Sequence, residues 1–453
     1  MTGHGGGRQR VRMRHARAVL RATAGALVVL VSIGSLRAQE ASPVRPAPVV
    51  AGYAVFGNAV TRPEVILREM TLEPGDTISA DELEFCRTRI YSLGLFNAVD
   101  ISYPPMDSTV LIIEVEERWF YYPVPMLGVV DRDLNHWYYG LGLVHQNVRG
   151  RNEKLWAAAV AGYNPSAQLS YANPWIFGTA QLFTDTQLAW TRVQNKSLVA
   201  RGDGENFTEN RYSIAQSLGK RFDAYRSAWL SAGFTYVDVS SWKPGRTASS
   251  TGIDRVLSIG AGAVHDTRNL REYTTQGFYG AAGVVKKGVG FGEVDYTRAT
   301  LDMRAWQRAW GGVSVGARVL TSVAAGPVVP YYERVFYGYA ERIRGRFSEH
   351  REGDNIAGLW LETRIPIVPE WMLRLPPLPV NGFSTLRFGL YAAVFADAGL
   401  TWERGERVRA ANAARGYGVG LHLLLPYGSV VRLERAWDHQ RAGEWILDIA
   451  ASF

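Results

Sequence analysis

Gly312-Val313-Ser314-Val315-Gly316 has the spacing of a hydrolase nucleophile elbow, in which a serine is presented on a strained turn between a strand and a helix. In this chain the serine falls in a run of alternating residues and no helical pattern follows it, so the match is coincidental. His136, His145, His265, His350, His422 and His439 are scattered without metal-ligand spacing. No glycine-rich turn leads into a helix as a phosphate cradle would. Cys86 is the single cysteine, which rules out an intrachain disulfide and leaves packing as its expected role. These residues predict no enzyme, no cofactor and no metal.

The chemistry is therefore sought in the elements. The first 38 residues carry an arginine-rich start (Arg8, Arg10, Arg12, Arg14, Arg17, Arg21) and an apolar stretch from Ala24 to Leu36, with a small residue, Ala38, at a suitable cleavage point. A cleaved export signal over 1–38 is expected; an uncleaved anchor is the alternative, but the apolar stretch spans a bilayer poorly. Without that segment the formal charge falls from +8 to +1, because seven arginines and no acids leave with it. The basicity thus gives no support for a nucleic-acid partner. Beyond the signal, no apolar run reaches the roughly 18 residues a membrane helix needs. Forty-seven glycines, 22 tyrosines and 14 tryptophans suit a β protein with many turns and an aromatic belt.

After a linker over 39–47, residues 48–118 read as a small α+β module. Val49 to Phe56 alternates as a strand and Gly57-Asn58 ends it. Thr61 is expected to cap a helix from Pro63 to Met70, which Pro74-Gly75-Asp76 breaks. Ser79 and Glu82 have capping-box spacing, and Leu83, Cys86 or Arg87, Ile90 and Leu93 follow at helical intervals until Gly94 stops the helix. Phe96, Val99 and Ile101 predict one strand and Val110 to Val115 another. The order is strand, helix, helix, strand, strand. With its landmarks FGN (Phe56 to Asn58), PGD (Pro74 to Asp76) and SLGLF (Ser92 to Phe96), it resembles a POTRA domain, a periplasmic docking module placed before membrane barrels.

The barrel is placed at 119–453, and from Pro123 onward the helical periodicity gives way to alternating segments. Ala228, Leu230, Ala232, Phe234 and Tyr236 alternate with Ser231, Gly233 and Thr235, as do Tyr417, Val419, Leu421, Leu423 and Leu425 with Gly418, Gly420 and His422. Apolar residues outside and small or polar ones inside fit a barrel in lipid, although a soluble sandwich also alternates. Residues 124–453, at roughly 20 per strand with its share of loops, make about 16 strands, with 14 or 18 as neighbours. Strand parity sends Glu362 inward if Leu359, Leu361 and Ile365 face lipid, and Asp397 inward if Leu390, Ala392, Val394 and Leu400 do. Arg435, between Leu433 and Trp437, is sent outward.

Six segments resemble the barrel of the BamA/TamA family of outer-membrane assembly proteins: QNVRGRNEKL (Gln146 to Leu155), LSYANPWIFG (Leu169 to Gly178), HDTRN (His265 to Asn269), IRGRF (Ile343 to Phe347), VFADAG (Val394 to Gly399) and the strand ending at Phe453. The resemblance covers nearly the whole chain after its signal. It implies a transmembrane antiparallel β-barrel over 119–453 with one N-terminal POTRA domain. It also implies that Arg344-Gly345, on a loop of roughly Pro330 to Asn355 with Ile343 and Phe347, folds into the lumen and meets acids from the wall; Glu362 and Asp397 are the expected acceptors. A guanidinium suits this because its rigid fork grips carboxylates bidentately. The family usually has an aromatic directly after the glycine, whereas Arg346 stands there in this chain and Phe347 follows.

Trp445, Leu447, Ile449 and Phe453 make one face of a closing strand, which is expected to meet a first strand near Trp137 to Val144 at the proposed gate. Insertion or translocation of proteins at the outer membrane is the implied function. A secretion or transport pore for one protein, a solute or a lipid is the alternative, and a surface adhesin is a third reading. Expected partners are outer-membrane lipids, client outer-membrane or secreted proteins, and accessory periplasmic proteins or lipoproteins.

Overall fold

The computed structural model describes residues 48–104, 108–130, 135–176, 178, 181–195, 197–201, 206–290, 292–338, 341–346, 351–374, 385–426, 429–440 and 443–449. The expected signal and linker, Phe347 and Phe453 lie outside these residues.

The N-terminal module runs β1 (Val49–Phe56), α1 (Pro63–Leu67), α2 (Ala80–Tyr91), β2 (Phe96–Ser102) and β3 (Ser108–Glu117). Its sheet order is β1-β3-β2, with β1 parallel and β2 antiparallel to β3. A register slip between Phe96 and Ala98 explains how Phe96 and Val99, of opposite parity, both reach the buried face. Ser79 Oγ accepts from Glu82 N at 3.2 Å, as the capping-box spacing predicts. Cys86 is fully buried against Thr71.

Three local expectations are corrected. The first helix ends at Leu67 rather than Met70, because i→i−3 bonds from Glu69 to Ile66 and from Met70 to Leu67 tighten its end. Its N-cap is Arg62; Thr61 instead gives its N–H to Glu117 Oε1 (2.6 Å) and its hydroxyl accepts from Asn147 Nδ2 (2.9 Å). Gly94, at φ +74°, stands two residues beyond the C-cap Ser92 rather than directly after it.

The second part is a 16-stranded antiparallel sheet. In chain order its strands are β4 (Tyr121–Val129), β5 (Trp137–Val148), β6 (Glu153–Gly162), β7 (Ser166–Ile176), β8 (Leu182–Gln194), β9 (Thr208–Arg221), β10 (Arg226–Val239), β11 (Ile253–Asp266), β12 (Gly277–Lys287), β13 (Asp295–Arg308) and β14 (Ser314–Val328). A small hairpin of β15 (Val335–Tyr337) and β16 (Arg351–Gly353) then stands apart, and β17 (Asn355–Arg374), β18 (Thr385–Trp402), β19 (Ala414–Leu425), β20 (Ser429–Asp438) and β21 (Gly443–Ile449) complete the sheet. Each strand pairs with its neighbour in that order, and among the described residues β4 and β21 are the two ends.

The first strand is thus Tyr121–Val129 and not the Trp137 segment, which is second. Pro123 and Pro125 speak against a central strand because proline donates no ladder hydrogen bond; on an end strand paired on one side, opposite Leu143 and Leu141, they are tolerated. Parity holds elsewhere. Leu230 is 69 % exposed while Glu362 and Asp397 are buried, and Arg435 faces outward, its guanidinium over Trp445 and Trp437. Ser314 opens β14 one residue after a glycine turn at Gly311 and Gly312, with strand rather than helix following.

The sheet is curled. Tyr273, in the turn between β11 and β12, touches His422 of β19, although flat strands that far apart would be separated by about 24 Å at about 4.8 Å per step. At the same end the module and the sheet share one apolar core, in which Ile90, Tyr91, Leu93 and Phe96 pack with Leu270, Tyr391, Leu424 and Val430.

Candidate functional site

The segment between β14 and β17 is long, and its far part packs against the wall. It begins with Tyr332, whose hydroxyl donates to Asp254 Oδ2 of β11 (2.8 Å), and passes through β15. At its tip, Ile343 is 2 % exposed and packs with Leu320, Tyr337, Ile356 and Trp360, which anchors the loop by apolar burial before any charge is placed. Trp360 Nε1 donates to Arg342 O at 2.8 Å.

Arg344 follows. Its Nε and Nη2 donate to Oδ2 and Oδ1 of Asp397 on β18, both at 2.8 Å, in the bidentate fork that only arginine supplies. Its backbone N–H reaches the same carboxylate at 3.1 Å. Nη1 donates to Glu362 Oε2 of β17 (2.7 Å) and to Glu434 Oε1 of β20 (3.0 Å), while the guanidinium carbon lies 3.6 Å from the centre of the Phe395 ring. The arginine is therefore satisfied from three strands and one aromatic face.

The neighbouring residues extend the grip to β21. Gly345 N–H donates to Glu444 Oε1 (2.7 Å), and Arg342 Nη2 to Asp448 Oδ2 (2.7 Å). Gly345 has φ +89°, and a Cβ on it would meet the Trp437 carbonyl group at 2.7 Å, so both its conformation and its closeness to the wall require glycine. Across from it, Gly416 of β19 leaves room for Arg344 O, which an added Cβ would approach to 1.8 Å. Arg344 and Gly345 of the loop, with Ile343 packed beside them, lie against Asp397 and Glu362 of the wall. Trp445 and Leu447 face outward on β21, and Ile449 ends that strand.

Sequence reasoning missed Glu434, Phe395, Glu444 and Asp448. Glu434 was within reach of the parity argument, since Leu433 and Arg435 point outward on either side of it. A further layer was also missed. Arg364 Nε donates to Glu362 Oε1 (2.8 Å), and its guanidinium lies between Tyr273 (3.9 Å) and Trp306 (3.8 Å). His422 Nε2 faces Glu434 Oε1 at 3.2 Å and its Nδ1 faces Tyr273 Oη at 3.0 Å. A carboxylate only accepts, so Nε2 carries a hydrogen, and in the neutral ring Nδ1 accepts from the tyrosine.

Glu362, His422 and Glu434 together have a ligand set that could hold a metal ion, but Arg344 Nη1 donates to both carboxylates and Arg364 Nε to Glu362, so the acids are already engaged by cations. The arrangement is a buried ion-paired cluster that joins the loop to the wall.

The opposite end holds a second polar cluster. Glu69, buried at the end of α1, accepts from Arg89 Nη2 (2.8 Å) of its own module and from Arg221 Nη1 and Nη2 (2.8 and 3.0 Å) on β9. Burial pushes the Glu69 carboxyl up, but Arg221 and Arg89 outweigh that and hold it below the usual carboxylate range. Arg89 also donates to Ala224 O, and Arg62 N–H to Gly150 O at 2.9 Å. Thr61 and Arg62, just beyond the FGN landmark, thus meet Asn147 and Gly150 of QNVRGR where the module meets the sheet.

Residues 147–443 match the family model of the Omp85 superfamily domain, and residues 48–118 match the POTRA model described as a surface antigen variable number repeat. No curated protein sequence matches the chain. Among solved structures, BamA from Haemophilus ducreyi lacking POTRA domains 1–3 is similar at TM-score 0.54 and 15 % identity, covering 89 % of this chain and 83 % of that one. CdiB from Escherichia coli is similar at TM-score 0.54 and 10 % identity, covering 90 % and 75 %. At such identities the likeness is one of fold. The family model spans well over half of the chain, and the chain belongs to the Omp85 superfamily, as an outer-membrane barrel with a periplasmic POTRA domain.

Proposed function

We propose that this protein inserts or translocates other proteins at the outer membrane, with the loop around Arg344 governing the seam between β4 and β21. The observation that carries this reading is that one short stretch of loop, Arg342 to Gly345, is bonded at once to β17, β18, β20 and the seam strand β21. A tether placed so holds the last strand in position relative to the wall, and its release frees that strand. The POTRA domain offers a strand edge at β2, where an extended client segment can add by main-chain pairing. Hydrophobic burial and strand pairing in the client then drive insertion, so the reading requires no nucleotide.

The test is replacement of the chromosomal gene by one encoding Arg344→Ala, with quantitative proteomics of the outer membrane. A fall in several barrel proteins supports assembly. Loss of a single exported protein, with barrels unchanged, moves the role to a dedicated secretion pore. No change in either removes the proposal.

A further inference from the structure

At the extracellular rim, opposite the POTRA domain, a cavity of about 800 Å³ lies between the tip of the luminal loop and the ends of β18, β19 and β20. Among the described residues, three arginines, Arg346, Arg351 and Arg415, and His439 line it, with the carboxylate of Glu352. That carboxylate is engaged away from the arginines: it accepts from Val199 N at 3.1 Å and lies 3.8 Å from Arg334. Arg346 is bonded to His439 and lies 3.7 Å from Asp438, and Arg351 Nη1 donates to Asn412 O at 2.6 Å, which sets both guanidinium groups at the cavity wall. Thr401 also lines it. A pocket of this make-up suits a phosphate, whose oxygens accept from several guanidinium groups together.

The position of Arg415 identifies the source of that phosphate. Arg415 is exposed on the outward face of β19, directly above Tyr417, which is exposed on the same face and stacks on Trp437. Aromatic rings of this kind mark the boundary of the hydrocarbon, so an outward arginine one step beyond them stands at headgroup depth. Arg435, on the adjacent strand and also outward, lies over Trp437 and Trp445 and continues the cationic strip. The cavity therefore opens where an outer-leaflet headgroup stands.

We infer that this cavity binds the phosphate of an anionic outer-leaflet lipid. The lipid bridges Arg415 on the wall to Arg346 and Arg351 on the loop, closing over the tip from outside while Arg344 holds it from within.

The test uses the full-length protein, folded in a neutral detergent, and native mass spectrometry with a doubly phosphorylated glycolipid of the lipid A type. Its dephosphorylated form and inorganic phosphate serve as separate arms. The wild type should retain one phosphorylated lipid, and Arg351→Gln/Arg415→Gln should bind it about a hundredfold more weakly, near tenfold for each charged hydrogen-bonding group removed. Arg415→Gln alone, at an exposed position, should still lose about tenfold, and it serves if the double variant does not fold. Equal binding by wild type and Arg415→Gln overturns the site. Equal binding of the dephosphorylated lipid overturns the phosphate, and inorganic phosphate binding as tightly as the lipid overturns the lipid. The measurement is independent of seam opening, so its outcome stands apart from that of the Arg344 test.

Discussion

Arg344 and Asp397 face one another fork to fork, two nitrogens to two oxygens at 2.8 Å, although 53 residues separate them and one belongs to a loop and the other to the wall. Glu362 and Glu434 share the remaining nitrogen. Removing one member of such a buried set leaves the others charged and without their counterion, which costs more than the set itself contributes.

Arg344→Ala is accordingly expected to lower barrel stability by about 3–5 kcal/mol, and Arg344→Lys to recover only part, since an ammonium cannot form the fork. The folded-to-unfolded electrophoretic mobility change on heating, measured across a denaturant series, reads this. Identical midpoints for wild type and Arg344→Ala would remove the tether.

The acids should rank. Asp397 receives the backbone N–H and both arms of the fork, whereas Glu434 receives one nitrogen and is also faced by His422. Asp397→Ala should therefore destabilise more than Glu434→Ala, and each should lose much of its effect in an Arg344→Ala background. Additive double variants in the same denaturation assay would contradict the shared site.

Gly416→Ala should act like a loss of Arg344 without touching a charge, because the new methyl carbon would lie 1.8 Å from Arg344 O. Limited trypsin digestion of the folded protein should then cut at Arg342 or Arg346, which the wild type protects. Protection unchanged in Gly416→Ala would mean the loop tolerates a different seat.

At the periplasmic end, docking of the POTRA domain should depend on pH through Glu69. Its folded pKa is held below the ordinary 4.5. The stability it contributes is therefore fully present above 4.5 and is lost as pH falls through the lower folded value. Proteolytic release of the POTRA domain should stay constant from about pH 5 to 8 and rise in stronger acid. Glu69→Gln should raise it at neutral pH. A variant as protected as the wild type at pH 7 would show that the apolar core holds the domain unaided.

Much of this was legible in the sequence because β structure writes its faces into alternate residues. Glu362 and Asp397 could be sent inward from their neighbours, and chain length put the strands at about 16 while leaving 14 or 18 open. What alternation cannot convey is distance across the lumen. Glu434 had the right parity, yet nothing in one dimension placed it 3.0 Å from Arg344. Glu69 and Arg221 lie 152 residues apart in different domains, and a buried glutamate at a helix end looks like an exposed one until its partner is known. The strand Tyr121–Val129 was hidden for another reason: its two prolines argue against a strand except at the end of a sheet, and which strand is terminal is a property of the whole fold.

The loop contacts on β21 have a mechanical consequence. Glu444 and Asp448 of that strand are held by Gly345 and Arg342, and between these two residues lies Arg344, seated in the wall. A pull on the terminal strand is thereby carried by four consecutive loop residues to three other strands, so the load cannot be relieved one bond at a time. On the proposed function, such a coupling predicts a catch with two positions, in which the strand is either retained or let go as a whole.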